Sequence, residues 1–330
     1  MPKTLVTGGA GFIGSHTVEH LVRRGHEVTV LDDLTGGFAG NVDQAARLVR
    51  GGVGDVRLVN DLFERERFDY VYHLAAYASE GLSHFIKRFN YDNNLIGSVN
   101  LINASVNHGV KCFVFTSSIA VYGGGADLPL TEDSPMHPKD SYGIAKLAVE
   151  QELVVTKRIF GLNYVIFRPH NVYGERQNIG DKYRNVVGIF MNQILQGKPL
   201  TIFGDGSQTR AFSYIRNVAP ILAQAVEVPS AYNQVFNVGA DRPHTVNELA
   251  RRVARAMGVE ARIEYLSARD EVADAYASHD KIRDVFGLLA SHSLEEGLAN
   301  MAAWVRRHGA QASQDFKEIE IRKNLPPSWA

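Results

Sequence analysis

The chain of 330 residues has one cysteine, almost no net charge and no long apolar run. The single cysteine, Cys112, permits no disulfide within the chain, which fits a reducing compartment. A formal net charge of −1 gives no electrostatic reason to expect nucleic acid or an anionic membrane as a partner. The sequence has no stretch of about 18 apolar residues and no signal-peptide core at its start. We therefore expect a cytoplasmic protein without membrane spans.

Short apolar segments alternate with helical ones through the first half of the chain. Strands are predicted at 5–7, 27–31, 69–74, 112–115 and 164–167, and helices at 12–24 and 93–107. This alternation predicts an α/β fold with a doubly wound parallel sheet of the Rossmann type. Cys112 falls in one of these strands, so a buried, inert thiol is expected rather than a nucleophile.

The second half of the chain has a different character, with glycines, aromatics and arginines in predicted loops. A helix is predicted at 244–258, with Thr245 as its N-cap and Glu248 three positions on. We predict a Rossmann domain over residues 1–173, to which later segments return. Residues 174–330 are predicted to form mainly a smaller, interleaved lobe that binds the substrate.

A glycine-rich loop, Thr-Gly-Gly-Ala-Gly-Phe-Ile-Gly at positions 7–14, joins the first predicted strand to the first helix. In this strand–loop–helix context the pattern is typical of dinucleotide binding. Gly8 permits a tight turn, Gly11 lets the main chain approach a pyrophosphate, and Gly14 lets the helix pack closely on the sheet. The free N–H groups and the helix dipole favour the phosphate charge there.

Two acidic residues, Asp32 and Asp33, follow the second predicted strand. A carboxylate at this place accepts hydrogen bonds from the adenosine ribose and repels a 2′-phosphate. Leu34 and Thr35 come next, and no arginine stands beside them. The pair therefore favours NAD over NADP, and Asp33 is also expected to cap a turn.

Tyr142 and Lys146 form a Tyr-x-x-x-Lys pair on a predicted helix. Positions i and i+4 share one helix face, and an ammonium beside a phenol favours the phenolate, which is a base. Ser118 follows the strand at 112–115 and is placed to hydrogen-bond the reacting oxygen of a substrate. Together, Ser118, Tyr142 and Lys146 predict a catalytic site that oxidises a carbinol.

Further motifs surround these residues in both halves of the chain. They are Gly54-Asp55-Val56, His73 to Ala76, Tyr91 to Asn94, Thr116 to Ser118, Val121 to Gly123, Arg168 to Gly174, and Leu200 to Gly206 with Thr209-Arg210. From about residue 3 to about residue 305, the chain resembles the extended short-chain dehydrogenase/reductase family. Within that family it is similar to the UDP-glucose 4-epimerase-like sugar-nucleotide epimerases.

The resemblance implies a cofactor site, a substrate site and an assembly. At NAD it places Gly8, Gly11, Phe12, Ile13, Gly14, Asp32, Asp33, Asp55, Val56, Leu74, Ala75, Ala76, Asn93, Tyr142, Lys146 and His170, with Asp55 and Val56 at the adenine and His170 near the nicotinamide. At the UDP-sugar it places Ser118, Asn171, Asn185, Phe203, Arg210 and Arg269, the two arginines on the diphosphate. It also implies a homodimer through helices 93–107 and 143–160. No metal ion is expected.

The stretch after Ser118 is Ile119-Ala120-Val121 and holds no carboxylate. Relatives that dehydrate or decarboxylate the sugar carry an acidic residue there for a second proton transfer. Its absence favours reversible oxidation at one carbon. The expected reaction is therefore 4-epimerisation of a UDP-hexose through a transient 4-keto sugar, with NAD staying bound.

The sequence leaves the sugar open. UDP-glucose and UDP-galactose are the first candidate substrates. Some glucose-restricted epimerases carry tyrosine at the position of Ala275, and the smaller alanine leaves room for the N-acetyl forms. Arg184, next to Asn185, is a possible partner of a C6 carboxylate, which keeps UDP-glucuronate 4-epimerisation as an alternative.

Two other classes of protein share parts of this pattern. A net-redox NAD-dependent reductase or dehydrogenase would also use Ser118, Tyr142 and Lys146, but Arg210 and the segment 203–206 suit a diphosphate. A non-catalytic NAD sensor would not need the Tyr/Lys pair, which is intact here.

Overall fold

The computed structural model describes residues 1–181, 183, 185–268, 272–287, 291–311 and 319–326. Its strands are β1 Lys3–Thr7, β2 Glu27–Asp32, β3 Arg47–Arg50, β4 Tyr70–His73, β5 Cys112–Thr116, β6 Asn163–Pro169, β7 Val172–Tyr173, β8 Leu200–Phe203, β9 Thr209–Ala211, β10 Ser213–Tyr214, β11 Gln234–Val238, β12 Pro243–Thr245, β13 Ile263–Leu266 and β14 Asp274–Ala275. Its α-helices are α1 Phe12–Arg23, α2 Val56–Glu66, α3 Glu80–Ser83, α4 Lys87–Tyr91, α5 Gly97–Asn107, α6 Ser141–Phe160, α7 Val186–Leu195, α8 Ile215–Gln224, α9 Val246–Ala256, α10 Asp280–Phe286 and α11 Leu294–His308.

Seven strands form one parallel sheet in the order β11-β6-β5-β4-β1-β2-β3. The chain starts at β1, runs outward to β3, and then returns to β4 and continues to the other side. This confirms the predicted doubly wound Rossmann sheet. The strand order reverses between β1 and β4, and open α/β sheets bind their ligands beyond the carboxyl ends of the strands at such a point.

Alternating side chains of the central strands fill both faces of the sheet. In β5, Phe113 and Phe115 join one apolar cluster, whereas Cys112 and Val114 join the other. Burial on both faces is typical of parallel sheets covered by helices. Cys112 is fully buried, and this burial raises the pKa of its thiol to about 12. The prediction of a buried thiol is therefore confirmed, and the raised pKa disfavours the reactive thiolate.

After the short strands and loops around residue 200, the chain returns to the seven-stranded sheet. Strand β11 pairs with β6, and helix α8 packs on α1. Outside the sheet, β8 pairs with β13, and β9 lies between β12 and β14. Helices α7 and α9 pack beside these short sheets. The division of the chain at residue 173 stays a prediction.

Two predicted helix starts differ in detail from the structure. The helix expected at 93–107 begins with a π-helical turn, Asp92–Ile96, whose Asn94 side chain bonds both main-chain groups of Tyr77. Thr245 caps α9 as predicted by accepting from Glu248 N at 3.1 Å. The Glu248 carboxylate also contacts His244 Nδ1 at 3.2 Å.

The C-terminal segment 319–326 contacts the cofactor-binding half of the chain. The Glu320 carboxylate accepts from Arg88 N at 2.8 Å and from Phe89 N at 2.9 Å, at the start of α4. The main-chain N–H groups of Glu320 and Ile321 both donate to Phe85 O. Among the described residues, no helix has the length and apolar character needed to cross a membrane.

Candidate active site

A cleft of about 740 Å³ opens at the carboxyl ends of the parallel strands. Its volume lies in the range of small-molecule sites. Most of the predicted site residues line it: Gly8, Gly11, Phe12, Ile13, Gly14, Asp32, Asp33, Leu74, Ala75, Ala76, Asn93, Ser118, Tyr142, Lys146, His170, Asn171, Asn185, Phe203 and Arg210. One cleft therefore joins the predicted cofactor, catalytic and substrate residues.

The glycine loop approaches its neighbours so closely that side chains are excluded. Gly8 has a φ of +71°, and a Cβ atom there would lie 2.6 Å from Ala75 N. A Cβ at Gly14 would lie 2.1 Å from Gly8 O. Gly11 is the N-cap of α1, which has neither a side-chain cap nor an acidic residue in its first turn. The end of this helix therefore presents N–H groups to an anion.

The acidic residues at the adenosine end have different surroundings. Asp32 is buried and accepts from Ala10 N at 2.9 Å and Leu34 N at 2.8 Å, and burial raises its pKa. Asp33 is exposed and caps Thr35 as predicted. Asp55 and Val56 do not line the cleft. Asp55 instead caps α2 by accepting from Leu58 N at 3.0 Å.

The cleft wall at this end comes from residues just before Asp55 and Val56. The residues that line the cleft at this end are Gly51, Gly52 and Val53, a few positions earlier in the chain. The capping role satisfies an open N–H group of α2 and explains why aspartate precedes this helix. A contact of Asp55 or Val56 with an adenine stays a prediction.

The predicted catalytic residues lie just after the end of β5 and in the first two turns of α6. Lys146 is 2% exposed, its Nζ donates to Thr116 O at 2.8 Å, and it lies 5.7 Å from the centre of the Tyr142 ring. Burial lowers the pKa of Lys146 to about 7, against an opposing effect of Glu150. Ser118 Oγ accepts from Ala120 N at 3.1 Å, so its hydroxyl hydrogen can still donate into the cleft.

Neighbouring elements hold the first turn of α6 in place. Asp140 caps the helix by accepting from Gly143 N at 2.8 Å. Tyr142 N donates to Ser83 Oγ at 3.1 Å, and Asn90 Nδ2 donates to Ser141 O at 2.8 Å. The start of the catalytic helix is therefore attached to the segment 83–90, which sequence patterns did not assign to the site.

Two buried polar atoms show that the cleft suits a polar ligand. Among the described residues, Thr116 Oγ1 and Gln177 Oε1 are the buried side-chain atoms that have no hydrogen-bond partner, and both residues line the cleft. Buried polar atoms are normally paired, so a ligand that bonds them is expected. With the glycine loop, they fit a bound dinucleotide that places its pyrophosphate at α1.

The predicted substrate residues already have structural roles. Asn171 Nδ2 donates to Ala211 O at 3.2 Å, and Asn185 caps α7 while its Nδ2 donates to Val172 O at 3.1 Å. The Arg210 guanidinium donates to the carbonyls of Thr209, Val272 and Ala273 beside the cleft. Phe203 ends β8 at the cleft wall. Arg269 and Arg184 lie outside the described residues.

Several residues of the cleft wall carried no recognisable sequence signal. The segment 77–81, which leads into α3, and Phe89 of α4 line the cleft, and Ser79 Oγ donates to Tyr183 O at 3.1 Å. Lys139 lines the cleft three residues before Tyr142. These residues belong to separate loops and short helices that come together only in the folded chain, so local patterns could not identify them.

Comparison with known proteins gives the family. Residues 4–239 match the model of the NAD dependent epimerase/dehydratase family. The UDP-glucose 4-epimerase of Thermotoga maritima, solved with UDP-glucose, is 35% identical with a TM-score of 0.89, covering 92% of this chain and 99% of its own. The chain therefore belongs to this family and is an NAD-dependent epimerase similar to the UDP-glucose 4-epimerases.

Other solved relatives act on different sugars. The UDP-N-acetylglucosamine 4-epimerase of Methanobrevibacter ruminantium, in complex with UDP-N-acetylmuramic acid, is 30% identical with a TM-score of 0.86 and covers 93% of this chain and 98% of its own. The UDP-glucuronic acid 4-epimerase of Bacillus cereus, with UDP-glucuronic acid and NAD, is 28% identical with a TM-score of 0.84 and covers 92% and 99%. Because the chain has a similar sequence identity to all three epimerases, these comparisons do not determine which UDP-sugar it binds.

Gly14→Ala should abolish stable NAD binding without unfolding the protein. The added methyl group would lie 2.1 Å from Gly8 O, so α1 must move away from the loop that holds the pyrophosphate. We expect the NAD content of the purified protein to fall about tenfold or more. Gly40→Ala is the matched control because nothing lies within 4 Å of a Cβ there. Full NAD occupancy in Gly14→Ala would show that this contact is not needed.

Proposed function

We propose that this epimerase inverts C4 of a UDP-hexose, with UDP-glucose and UDP-galactose as the first candidates. The observation that carries the proposal is the shared cleft. It joins Ser118, Tyr142 and Lys146 to the glycine loop, and Ile119-Ala120 stands where a second acid–base group would be needed for dehydration. Residues 174–330 mainly supply the UDP-sugar side of the cleft, and the protein works in the cytoplasm.

Each catalytic residue has one task in this reaction. Tyr142, as phenolate, accepts the proton of the sugar 4-OH and later returns it. The nearby Lys146 ammonium stabilises the phenolate, and Ser118 donates a hydrogen bond to the same sugar oxygen. The chemistry that a bound NAD would supply is that of a reversible hydride acceptor for C4 of the sugar. The 4-keto sugar rotates and presents its other face before it is reduced. The hydride therefore returns to the opposite face of C4, and the product has the opposite configuration there.

Tyr142→Phe should lower kcat by roughly a thousandfold, because a positioned acid–base group contributes about 10²–10⁴ in rate. NAD content should stay at the wild-type level. Tyr265→Phe, which changes an exposed phenol on β13, should have full activity. Product separation after incubation with UDP-glucose and no added NAD measures both variants. Substantial epimerisation by Tyr142→Phe, or steady NADH accumulation in the wild type, would contradict the proposal.

Ala275 should determine which substituent the enzyme accepts at C2 of the sugar. This residue lines the cleft on β14, opposite Arg210 in the strand register, and its methyl group leaves space for an N-acetyl group. Ala275→Tyr should lower kcat/KM for UDP-N-acetylglucosamine at least about tenfold more than for UDP-glucose, since bulk in a well-packed pocket is costly. Ala273→Tyr, on an exposed neighbour that does not line the cleft, is the control.

Two outcomes would revise the choice of sugar. Equal losses for both substrates in Ala275→Tyr would remove Ala275 as the selecting residue. Faster turnover of UDP-glucuronate than of the neutral sugars by the wild type would replace the proposal with the alternative 4-epimerase. The B. cereus relative makes this second substrate worth including in every panel.

The protein should form a homodimer through the predicted helices. The outer face of α6 exposes large apolar side chains, among them Ile159 at 59% and Phe160 at 65% exposure, and Ile96 lies exposed just before α5. Sedimentation equilibrium should show a dimer at micromolar concentration, and Val155→Glu with Ile159→Glu should give monomers. Val259→Glu, on an exposed apolar residue after α9, should remain dimeric. A monomeric wild type would refute the assembly.

A further inference from the structure

Two histidines contact each other at the catalytic end of the cleft. His170 follows β6 and lines the cleft, and His279 precedes α10. Both are 2% exposed. Strand β6 is the sheet neighbour of β5, whose end leads to Ser118, whereas Asp32 ends β2 on the other side of β1. His170 therefore stands at the end of the cleft where the reaction takes place, away from the adenosine end.

Every ring nitrogen of this pair has a partner. His170 Nδ1 lies 3.2 Å from Ala211 O, and His170 Nε2 lies 3.0 Å from His279 Nε2. His279 Nδ1 lies 2.7 Å from Asp241 Oδ1. Because the ring centres are 5.1 Å apart while the two nitrogens are 3.0 Å apart, the rings meet edge to edge. The contact is therefore a hydrogen bond between nitrogens and not a face-to-face stack.

The partners determine how many protons the two rings hold. A carbonyl and a carboxylate only accept, so the outer nitrogen of each ring must carry hydrogen. The contact between the two Nε2 atoms needs one hydrogen more. Three protons on two imidazoles are one more than two neutral rings carry. All three contacts are hydrogen bonds at the same time only when the two rings, which we call the His170–His279 pair, share three N–H hydrogens and so hold one positive charge.

In that arrangement the extra hydrogen belongs to His279, whose Nδ1 lies 2.7 Å from the Asp241 carboxylate. Burial, and next the charge of His279, lower the pKa of His170 to about 3, so His170 itself stays neutral. Arg283 donates to Asp241 Oδ2 at 2.9 Å and to Asp280 at 2.6 Å, which anchors the carboxylate. Gly239 makes room for the pair, because a Cβ there would lie 2.5 Å from His170 Nε2.

We propose that His279 is a positioning residue of this enzyme, a buried imidazolium that fixes His170 and promotes reduction of the bound NAD. The proposal rests on the proposed function, because it takes His170 to face the nicotinamide. Uptake of a hydride removes the positive charge of that ring. A cation held nearby in a medium of low dielectric constant opposes the charged form and so favours the reduced one. Neither nitrogen of His170 is left to act as a base.

The proton count can be measured on the NAD-bound enzyme by NMR with ¹⁵N-labelled histidine. In the wild type at neutral pH we expect one buried ring that is protonated at both nitrogens, and its signals should be lost in His279→Gln. His170 should appear as a neutral ring protonated at Nδ1. If both rings are neutral and singly protonated, the proposed charge does not exist and the inference falls, whatever the substrate of the enzyme proves to be.

The electrostatic role can be measured without a sugar. Sodium cyanoborohydride reduces bound NAD, and the rate follows how readily the nicotinamide accepts hydride. His279→Gln keeps an N–H donor toward His170 but removes the charge, so this rate should fall about fivefold at unchanged NAD content. Asp241→Asn, which removes the counter-ion, should also change the rate.

The controls separate charge from structure. Asp284→Asn alters an exposed carboxylate on the same helix α10, outside the contacts that hold the pair, and its rate should match the wild type. A wild-type rate in His279→Gln would overturn the electrostatic role, even if His279→Ala lost activity through a cavity. If the reduction rates change as expected but no UDP-sugar is epimerised, the proposed function fails while the role of His279 toward NAD stands.

Discussion

Helix α6 is attached to the ends of the parallel strands by buried polar groups, and the geometry of the active site depends on this attachment. Lys146 donates to the carbonyl of Thr116, the last residue of β5. One turn later, Glu150 accepts from Ser117 Oγ at 2.5 Å and from Arg168 Nε at 3.0 Å, with a second Arg168 contact at 2.5 Å. Buried charges are tolerated only when they are paired and fully bonded. The same bonds fix the rotation of the helix, so Tyr142 lines the cleft.

The glycine loop applies a second constraint at the other end of the cleft. Gly14 places α1 against Gly8, and Gly8 in turn lies against Ala75 at the end of β4. The first helix, the first strand and the fourth strand are therefore packed without intervening side chains. A cofactor that lies along the carboxyl ends of these strands can reach both α1 and the predicted catalytic residues of α6. One cleft can therefore hold both the cofactor and the substrate.

Features encoded by neighbouring residues could be predicted from the sequence. The glycine spacing of 8–14, the Tyr142/Lys146 pair and the Thr245 cap are local, and the structure has each in the expected element. Strands β3 and β11 were not predicted, because short segments with mixed polarity give no clear period. The motif of Asp55 predicted a contact with the adenine, and it gave no sign that the Asp55 carboxylate also caps α2.

Features that join distant parts of the chain could not be predicted. Glu320 lies more than 200 residues from the helix α4 that it caps, and Asp241, His279 and His170 meet only after folding. The buried Arg168 gives no sign in the sequence that Glu150 is its partner. Such contacts depend on tertiary packing, and they are the ones that shape the catalytic end of the cleft.

In the proposed reaction the C4 hydrogen leaves the sugar as a hydride and returns to it within the same cleft. The direct measurement uses UDP-glucose carrying deuterium at C4, equilibrated with the enzyme in ordinary water without added NAD, and mass spectrometry of both epimers. Both epimers should retain the deuterium, because a hydride does not exchange with solvent. Loss of the label to water would mean that the hydrogen leaves as a proton, and it would contradict the mechanism.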